Sequence, residues 1–293
     1  MKDSKALLCS KKSPISLIKP YIPKLWPYKQ HRIYADSTSR LASVTHQDLE
    51  LVYIGQVCNS WEIISWQYSK TKELMEYDSD QRHHSSYNKV ASECQQFQVL
   101  LERFLEDEAF HGPRTLHYVN NRCIFRILLQ TPMIKEDCLK DRNAAEVEVQ
   151  ISVSLAELAE MIQQLMQVFW EFVSTEKTGS KIKSKTGTEV AKHDHVEAKL
   201  LEDIRATLQQ KERRLKDIQR RKNCIVKKFQ KYQNCAQNHA VLTSQVELKL
   251  VSRVLCLTKI STDQLMWCQR KLDNISFLGR NVHVEHSFFL FPC

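Results

Sequence analysis

The chain has 293 residues, 42% of them hydrophobic, with 43 Lys and Arg against 34 Asp and Glu. That is enough for one large or two small folded domains, while the scarcity of glycine, 5 residues, excludes turn-dense sheet folds and glycine-rich nucleotide loops. The 10 cysteines form no C-x-x-C pair and follow no secretory signal, so they read as reduced thiols of an intracellular chain, cytoplasmic or nuclear.

Residues 1–45 are rich in Lys, Ser and Pro, with Asp3 the only acid before Asp36, and read as a disordered basic leader. A basic, acid-poor leader is also the composition of an organelle-targeting segment. From residue 46 the pattern is helical. Leu51, Ile54, Cys58, Trp61, Ser65, Tyr68 and Met75 recur at three- and four-residue steps and predict a helix over 46–77. The polar stretch "DSDQRHHSS" interrupts it, and Val90, Cys94, Phe97, Leu101 and Phe104 predict a second helix over 88–106. Gly112 and Pro113 stop that helix and restart the chain. A third is predicted over 114–131 with Leu116, Val119, Cys123, Ile127 and Leu128 as its apolar face, closed by Pro132.

"SLAE" at 154–157 is a capping box and opens a fourth helix over 154–175, carrying Leu158, Ile162, Leu165, Phe169 and Phe172. Residues 174–195 are polar, hold two glycines and read as a flexible linker between an N-terminal helical part, 46–173, and a C-terminal part, 196–293. The two parts are expected to pack as one domain. A three-helix segment follows the linker. Within it "VELKLVSRVLCL" alternates like a strand, yet its neighbours are helical and it is assigned to a helix. "STDQ" at 261–264 is another capping box, before Leu265, Cys268, Leu272 and Ile275. The tail "RNVHVEHSFFLFPC" is expected to be extended and packed back onto the helices. The fold class is therefore all-α: a multi-helix bundle with long helices. No run of 18 apolar residues is present, so no transmembrane span is expected.

Little in the chain has the pattern of catalysis. Gly179 to Thr186 approaches the phosphate-loop motif, but Ser184 stands where the second glycine is needed and the segment follows a helix. His83, His84, His193 and His195 sit in polar loops without a nearby cysteine, and Glu106, Asp107 and Glu108 have no nucleophile beside them. Trp61, Trp66, Trp170 and Trp267 lie on helices and read as buried anchors between them. No catalytic, cofactor-binding or metal-binding residue is expected, and no cofactor.

The segment 201–232 holds the one candidate surface. With a at Leu201, Leu208, Leu215, Lys222 and Phe229, d falls on Ile204, Lys211, Ile218, Ile225 and Tyr232, a coiled-coil seam interrupted by two lysines. Arg213, Arg220 and Lys227 then share position f, and Arg214, Arg221 and Lys228 share position g. They make a stripe repeating every about 10.5 Å. Residues 205–231 carry 11 basic and 2 acidic side chains, the whole net charge of +9, which leaves 32 of each sign elsewhere. Such a stripe fits RNA phosphates, an acidic protein partner, or this chain's own Glu102, Glu106, Asp107 and Glu108.

"QFQVLLERFLEDE", "NRCIFRILLQTPMIKEDCLKD", "RRLKDIQRRKNCIVKKFQKYQ", "VELKLVSRVL", "TDQLMWCQRKL" and "HVEHSFFLFPC", in that order, resemble a plant family of unknown function. Its members are often labelled "ribosomal protein L-thirty-four-like". The likeness runs from about residue 46 to the end of the sequence. It implies a helical domain in an intracellular plant protein, and no assigned catalytic residues. Members of that family are often longer upstream, which implies a short form or a partial sequence here. Together these readings point to a non-enzymatic helical interaction or scaffold protein with a protein partner. The alternative is an RNA- or ribosome-associated protein that binds phosphates through 205–231.

Overall fold

The computed structural model describes residues 38–78, 87–122, 152–176, 195–222 and 235–292. The chain divides into Met1–Arg40, of which only the start of the first helix is described, and a compact unit Leu41–Cys293. All that follows concerns the second unit. Its described residues form seven helices and one two-stranded sheet, in keeping with the all-α expectation. Residues 1–37 of the leader and nearly all of the expected linker lie outside the described residues, while residues 38–45, read as leader, instead open the first helix.

Helix α1, Thr38–Asp78, is the axis of the fold. Tyr53, Ile54, Val57, Cys58, Trp61, Ile64 and Tyr68 are buried at helical spacing. Each turn of that face meets a different element. Tyr53 lies 5.4 Å from Tyr118 on α3 (Arg114–Asn121), and Trp61 lies 5.4 Å from Phe169 on α4 (Leu155–Thr175). Tyr68 stacks at 4.3 Å on His239 of α6 (Cys235–Val254).

Helix α2, Asn88–His111, buries Val90, Cys94, Phe97, Leu101 and Phe104 against α4. The two run in the same direction because their starts are tied together. The Tyr87 N–H donates to the Val153 carbonyl at 3.1 Å, and the Val153 N–H donates to Asn88 Oδ1 at 2.7 Å. Ser154 caps α4 as its sequence predicts: its hydroxyl accepts the Glu157 N–H and the Glu157 carboxylate accepts the Ser154 N–H.

The face of α3 differs from the one expected. Leu116 is 48% exposed, while Arg114, Tyr118 and Asn121 are buried. The apolar pattern misled here because Arg114 carries its own partners into the core. Its guanidinium donates to Glu108 Oε2 at 2.9 Å, to Thr175 Oγ1 at 2.9 Å and to the Phe172 carbonyl, and it lies 4.5 Å from the Phe172 ring. Residues 123–131 of the expected third helix lie outside the described residues.

Helix α6 is enclosed by α4, α5 (His195–Lys222), α7 (Thr262–Asp273) and a hairpin strand. Val246, Glu247, Leu248, Leu250 and Val251 are all buried. Burial on several sides erases the helical period and explains why "VELKLV" alternates like a strand. Helix α7 begins at the Ser261–Gln264 capping box and ends at Asp273, earlier than expected. Ile275 does not continue it but opens β1 (Ile275–Leu278), which pairs antiparallel with β2 (Asn281–Val284), Phe277 opposite Val282. The two-residue connection Gly279–Arg280 makes this hairpin. Gly279 has φ +63°, the left-handed conformation that tight hairpin turns need at their first central position. Residues 285–292 then run extended across the helices, as the tail was expected to do.

Candidate functional site

Helix α5 has two sides. Ile204, Leu208 and Leu215 of the expected seam are buried, and Leu201 and Ile218 are partly buried against the core. One of the two lysines in that seam has a defined job, and the side chain of the other, Lys222, lies outside the described residues. Lys211 is half-buried and its Nζ donates to the Ile275 carbonyl at the start of the hairpin. Burial lowers its pKa, and the nearby Asp273 opposes that shift. The seam lysine thus pins the hairpin to α5 rather than weakening the helix.

Arg213, Arg214 and Arg220 are exposed along the other side. Arg214 stays beside the hairpin, its guanidinium 5.8 Å from the Phe277 ring. The remaining stripe members are not placed: the Arg221 side chain, Lys227 and Lys228 lie outside the described residues. Three of the four acids weighed as internal partners are engaged elsewhere, and Glu106 is exposed. Glu108 binds Arg114, Asp107 sits 4.0 Å from His117, and Glu102 accepts a hydrogen bond from Gln98.

The sequence reading missed a second set of charges, which are buried. Lys271 Nζ on α7 lies 2.5 Å from Glu62 Oε1 on α1 and 3.6 Å from Glu247 Oε1 on α6. The exposures of Lys271, Glu62 and Glu247 are 3%, 3% and 6%. Burial raises both carboxylates, Glu247 to about 7, against the pull of Lys271. Arg253 binds Glu50 at 3.3 Å and Glu176 at 3.6 Å, tying α6 to α1 and to the end of α4. A small crevice beside this pair, of about 10 Å³, is lined by Tyr53, Val173, Glu176, Lys249 and Arg253 among others. A signal for these charges did exist: Glu62 follows Trp61 directly, and Lys271 is four residues from Trp267, each inside an apolar arc. Nothing in local spacing shows that they meet.

The tryptophans separate likewise. Trp61 and Trp267 are buried anchors, as expected, but Trp66 is 49% exposed and lies 6.2 Å from Phe288. Trp66 falls outside the core because it sits on the flank of α1 that faces the tail. Cys58, Cys94, Cys256 and Cys268 form no disulfide, and burial pushes Cys94 and Cys268 up to about 12. Among the described residues no group of His, Cys, Asp and Glu is placed to hold a metal ion, and no helix is long and apolar enough to cross a membrane.

Neither a curated protein nor a solved structure matches this sequence. A family model, described as a protein of unknown function (DUF1666), matches residues 47–292, from the body of α1 to the extended tail. Because that match takes in most of the chain and all of the packed elements, the chain belongs to the DUF1666 family of proteins of unknown function.

Proposed function

We propose that this is a non-enzymatic helical interaction protein that captures an acidic segment of a protein partner on the exposed side of α5. The observation that carries the reading is the division of α5. Ile204, Leu208 and Leu215 fix the helix in the core, while Arg213, Arg214 and Arg220 remain in solvent on a rigid element. Arginines held on a packed helix offer planar donors that match carboxylates in pairs. Charge outside residues 205–231 is balanced, so the excess positive charge belongs to the segment that includes the exposed side of α5. A second reading, RNA, is favoured by the half-buried Phe277 ring beside Arg214, since an aromatic next to arginines is a surface on which bases stack.

One experiment separates them. The full chain is titrated with a fluorescent polyglutamate peptide and with an oligouridylate at several salt concentrations. The Arg213→Gln/Arg214→Gln/Arg220→Gln variant is run alongside. The protein-partner reading expects the peptide to bind more tightly than the RNA, with at least a tenfold loss in the variant. Tighter RNA binding, with a log–log salt slope of about 0.7 per phosphate contacted, transfers the site to RNA. Binding of neither, or binding that the variant leaves unchanged, refutes both.

A further inference from the structure

The extended tail is held in an unusual way. After Glu285, whose N–H donates to the Asn274 carbonyl, no backbone–backbone hydrogen bond holds residues 286–292 among the described residues. Their backbone is read by side chains of two helices. On α1, Glu62 Oε2 accepts the Phe289 N–H at 3.3 Å and Asn59 Oδ1 accepts the Phe291 N–H at 2.6 Å. On α7, Trp267 Nε1 donates to the Phe289 carbonyl at 3.1 Å and Gln264 Nε2 donates to the Pro292 carbonyl at 3.2 Å. Acceptors on one helix meet the N–H groups, and donors on the other meet the carbonyls. In each helix the two reading residues stand three apart, about one turn. Their order runs opposite to the tail, so the tail lies antiparallel to both helices.

Side chains add an alternating register. Phe291 is buried edge-on against Trp267 at 5.2 Å, and Phe289 is partly buried with the Arg270 guanidinium 5.1 Å from its ring. Phe288 and Leu290, between and before them, are half-exposed. An extended segment with alternate residues in pockets and its backbone hydrogen-bonded from the walls is a peptide-recognition mode.

We propose that the cleft between α1 and α7 is a receptor for an extended peptide, occupied here by the chain's own residues 286–292. Its partner is an extended segment of another protein with the same chemistry. That segment carries aromatic residues at two alternate positions, each with a free N–H, and it enters in competition with the resident tail. Proline is excluded at the positions of Phe289 and Phe291, whose N–H groups are read, and tolerated at Pro292, where only the carbonyl is used.

The test uses the full chain and a labelled peptide of sequence HSFFLFP, with a control peptide carrying proline at the positions of Phe289 and Phe291. The Phe291→Ala chain, with its resident tail loosened, is expected to bind the labelled peptide at least tenfold more tightly than the unaltered chain. Adding Asn59→Ala to that variant should weaken binding several-fold, and the control peptide should bind at least tenfold less. In the unaltered chain, excess peptide should speed hydrogen exchange at the Phe289 and Phe291 amides, a readout that needs no variant to fold. Dimers of the unaltered chain that the peptide dissolves would overturn the assignment to another protein and make the tail of a second copy the occupant. Equal binding of both peptides, or unchanged exchange at those two amides, overturns it.

Discussion

Lys271 is the residue whose loss the fold should feel most sharply. One ammonium faces two carboxylates, 2.5 Å from Glu62 and 3.6 Å from Glu247, and all three side chains are almost wholly buried. Lys271→Met keeps most of the volume and removes the cation, so two carboxylates stay in the core with nothing to neutralise them. Breaking a buried pair from one side costs about 3–5 kcal/mol, a large part of the roughly 5–15 kcal/mol that holds a domain folded. The cost depends on pH. Glu247 already titrates near 7, above its ordinary 4.5, and without Lys271 it rises further. A carboxylate raised on folding adds stability below its unfolded pKa and loses it as pH rises through the folded value. The deficit of the variant should therefore be largest near pH 8 and shrink toward about pH 5.5, where the folded state takes up protons. Urea unfolding followed by tryptophan fluorescence measures it, because Trp61 and Trp267 are buried beside the cluster. At an m-value of about 3 kcal/mol/M, the midpoint near pH 8 should fall by roughly 1 M. Adding Glu62→Gln and Glu247→Met to the variant should recover most of the loss, since no uncompensated charge remains. A deficit below about 1 kcal/mol near pH 8, or one that does not change with pH, refutes the reasoning.

Arg114→Lys should cost about 3 kcal/mol in thermal or urea unfolding, because an ammonium cannot reach Glu108, Thr175 and the Phe172 carbonyl at once. A loss under half that would mean the fork geometry is not needed. Gly279→Ala meets no atom within 4 Å, so its cost is conformational alone, about 1 kcal/mol for a φ of +63°, read as a small drop in Tm. Ser261→Ala removes the cap of α7 and should cost about 1 kcal/mol by the same measurement. Thiol labelling mapped by mass spectrometry at mildly alkaline pH should leave Cys94 and Cys268 unmodified until the chain unfolds, since burial keeps both protonated. Early modification of either would contradict their placement.

Helices that bury one side only are easily legible in sequence. Residues 88–106 and 154–175 kept a clean helical period because α2 and α4 each turn a polar side to solvent, and Ser154 and Ser261 announced the starts of α4 and α7 by chemistry that is local. Residues 46–77 were legible from the spacing of their apolar residues alone, since Ser60, Glu62, Gln67 and Thr71 of α1 are buried too. Legibility failed where burial does not follow hydrophobicity. Arg114 was passed over and Leu116 preferred, because the partners that let Arg114 enter the core come from Glu108, Phe172 and Thr175 on two other helices. The hairpin was missed because Ile275 sits in phase with Leu265, Cys268 and Leu272 of α7, and the single residue that breaks the phase, Gly279, comes four positions later. For the candidate surface, the heptad assignment placed Arg213, Arg214 and Arg220 correctly on the side of α5 away from the core. It gave no hint that Lys211 would bind Ile275 or that Arg214 would lie beside Phe277, since both partners belong to the hairpin.

The same distinction separates what holds this fold from what it offers to others. Lys271 joins α1, α6 and α7 through two carboxylates, and Arg253 joins α6 to α1 and the end of α4. Both clusters bridge segments far apart in sequence, and both lie where an apolar contact would have tolerated sliding. A buried charge tolerates little, because a shift that separates Nζ from its carboxylates exposes the full cost of desolvation. Glu62 extends that constraint outward: one of its oxygens meets Lys271 and the other accepts the Phe289 N–H. The register of the tail in its cleft is thus set by the same residue that fixes α7 against α1. A change at Glu62 should therefore disturb core stability and tail binding together, whereas Asn59→Ala, which removes the acceptor of the Phe291 N–H, should disturb tail binding alone. Comparing hydrogen exchange at Phe291 and at core amides of α6 in Glu62→Gln and Asn59→Ala separates the two. If Asn59→Ala speeds exchange in α6 as much as Glu62→Gln does, the tail is an integral part of the core and not a ligand of it.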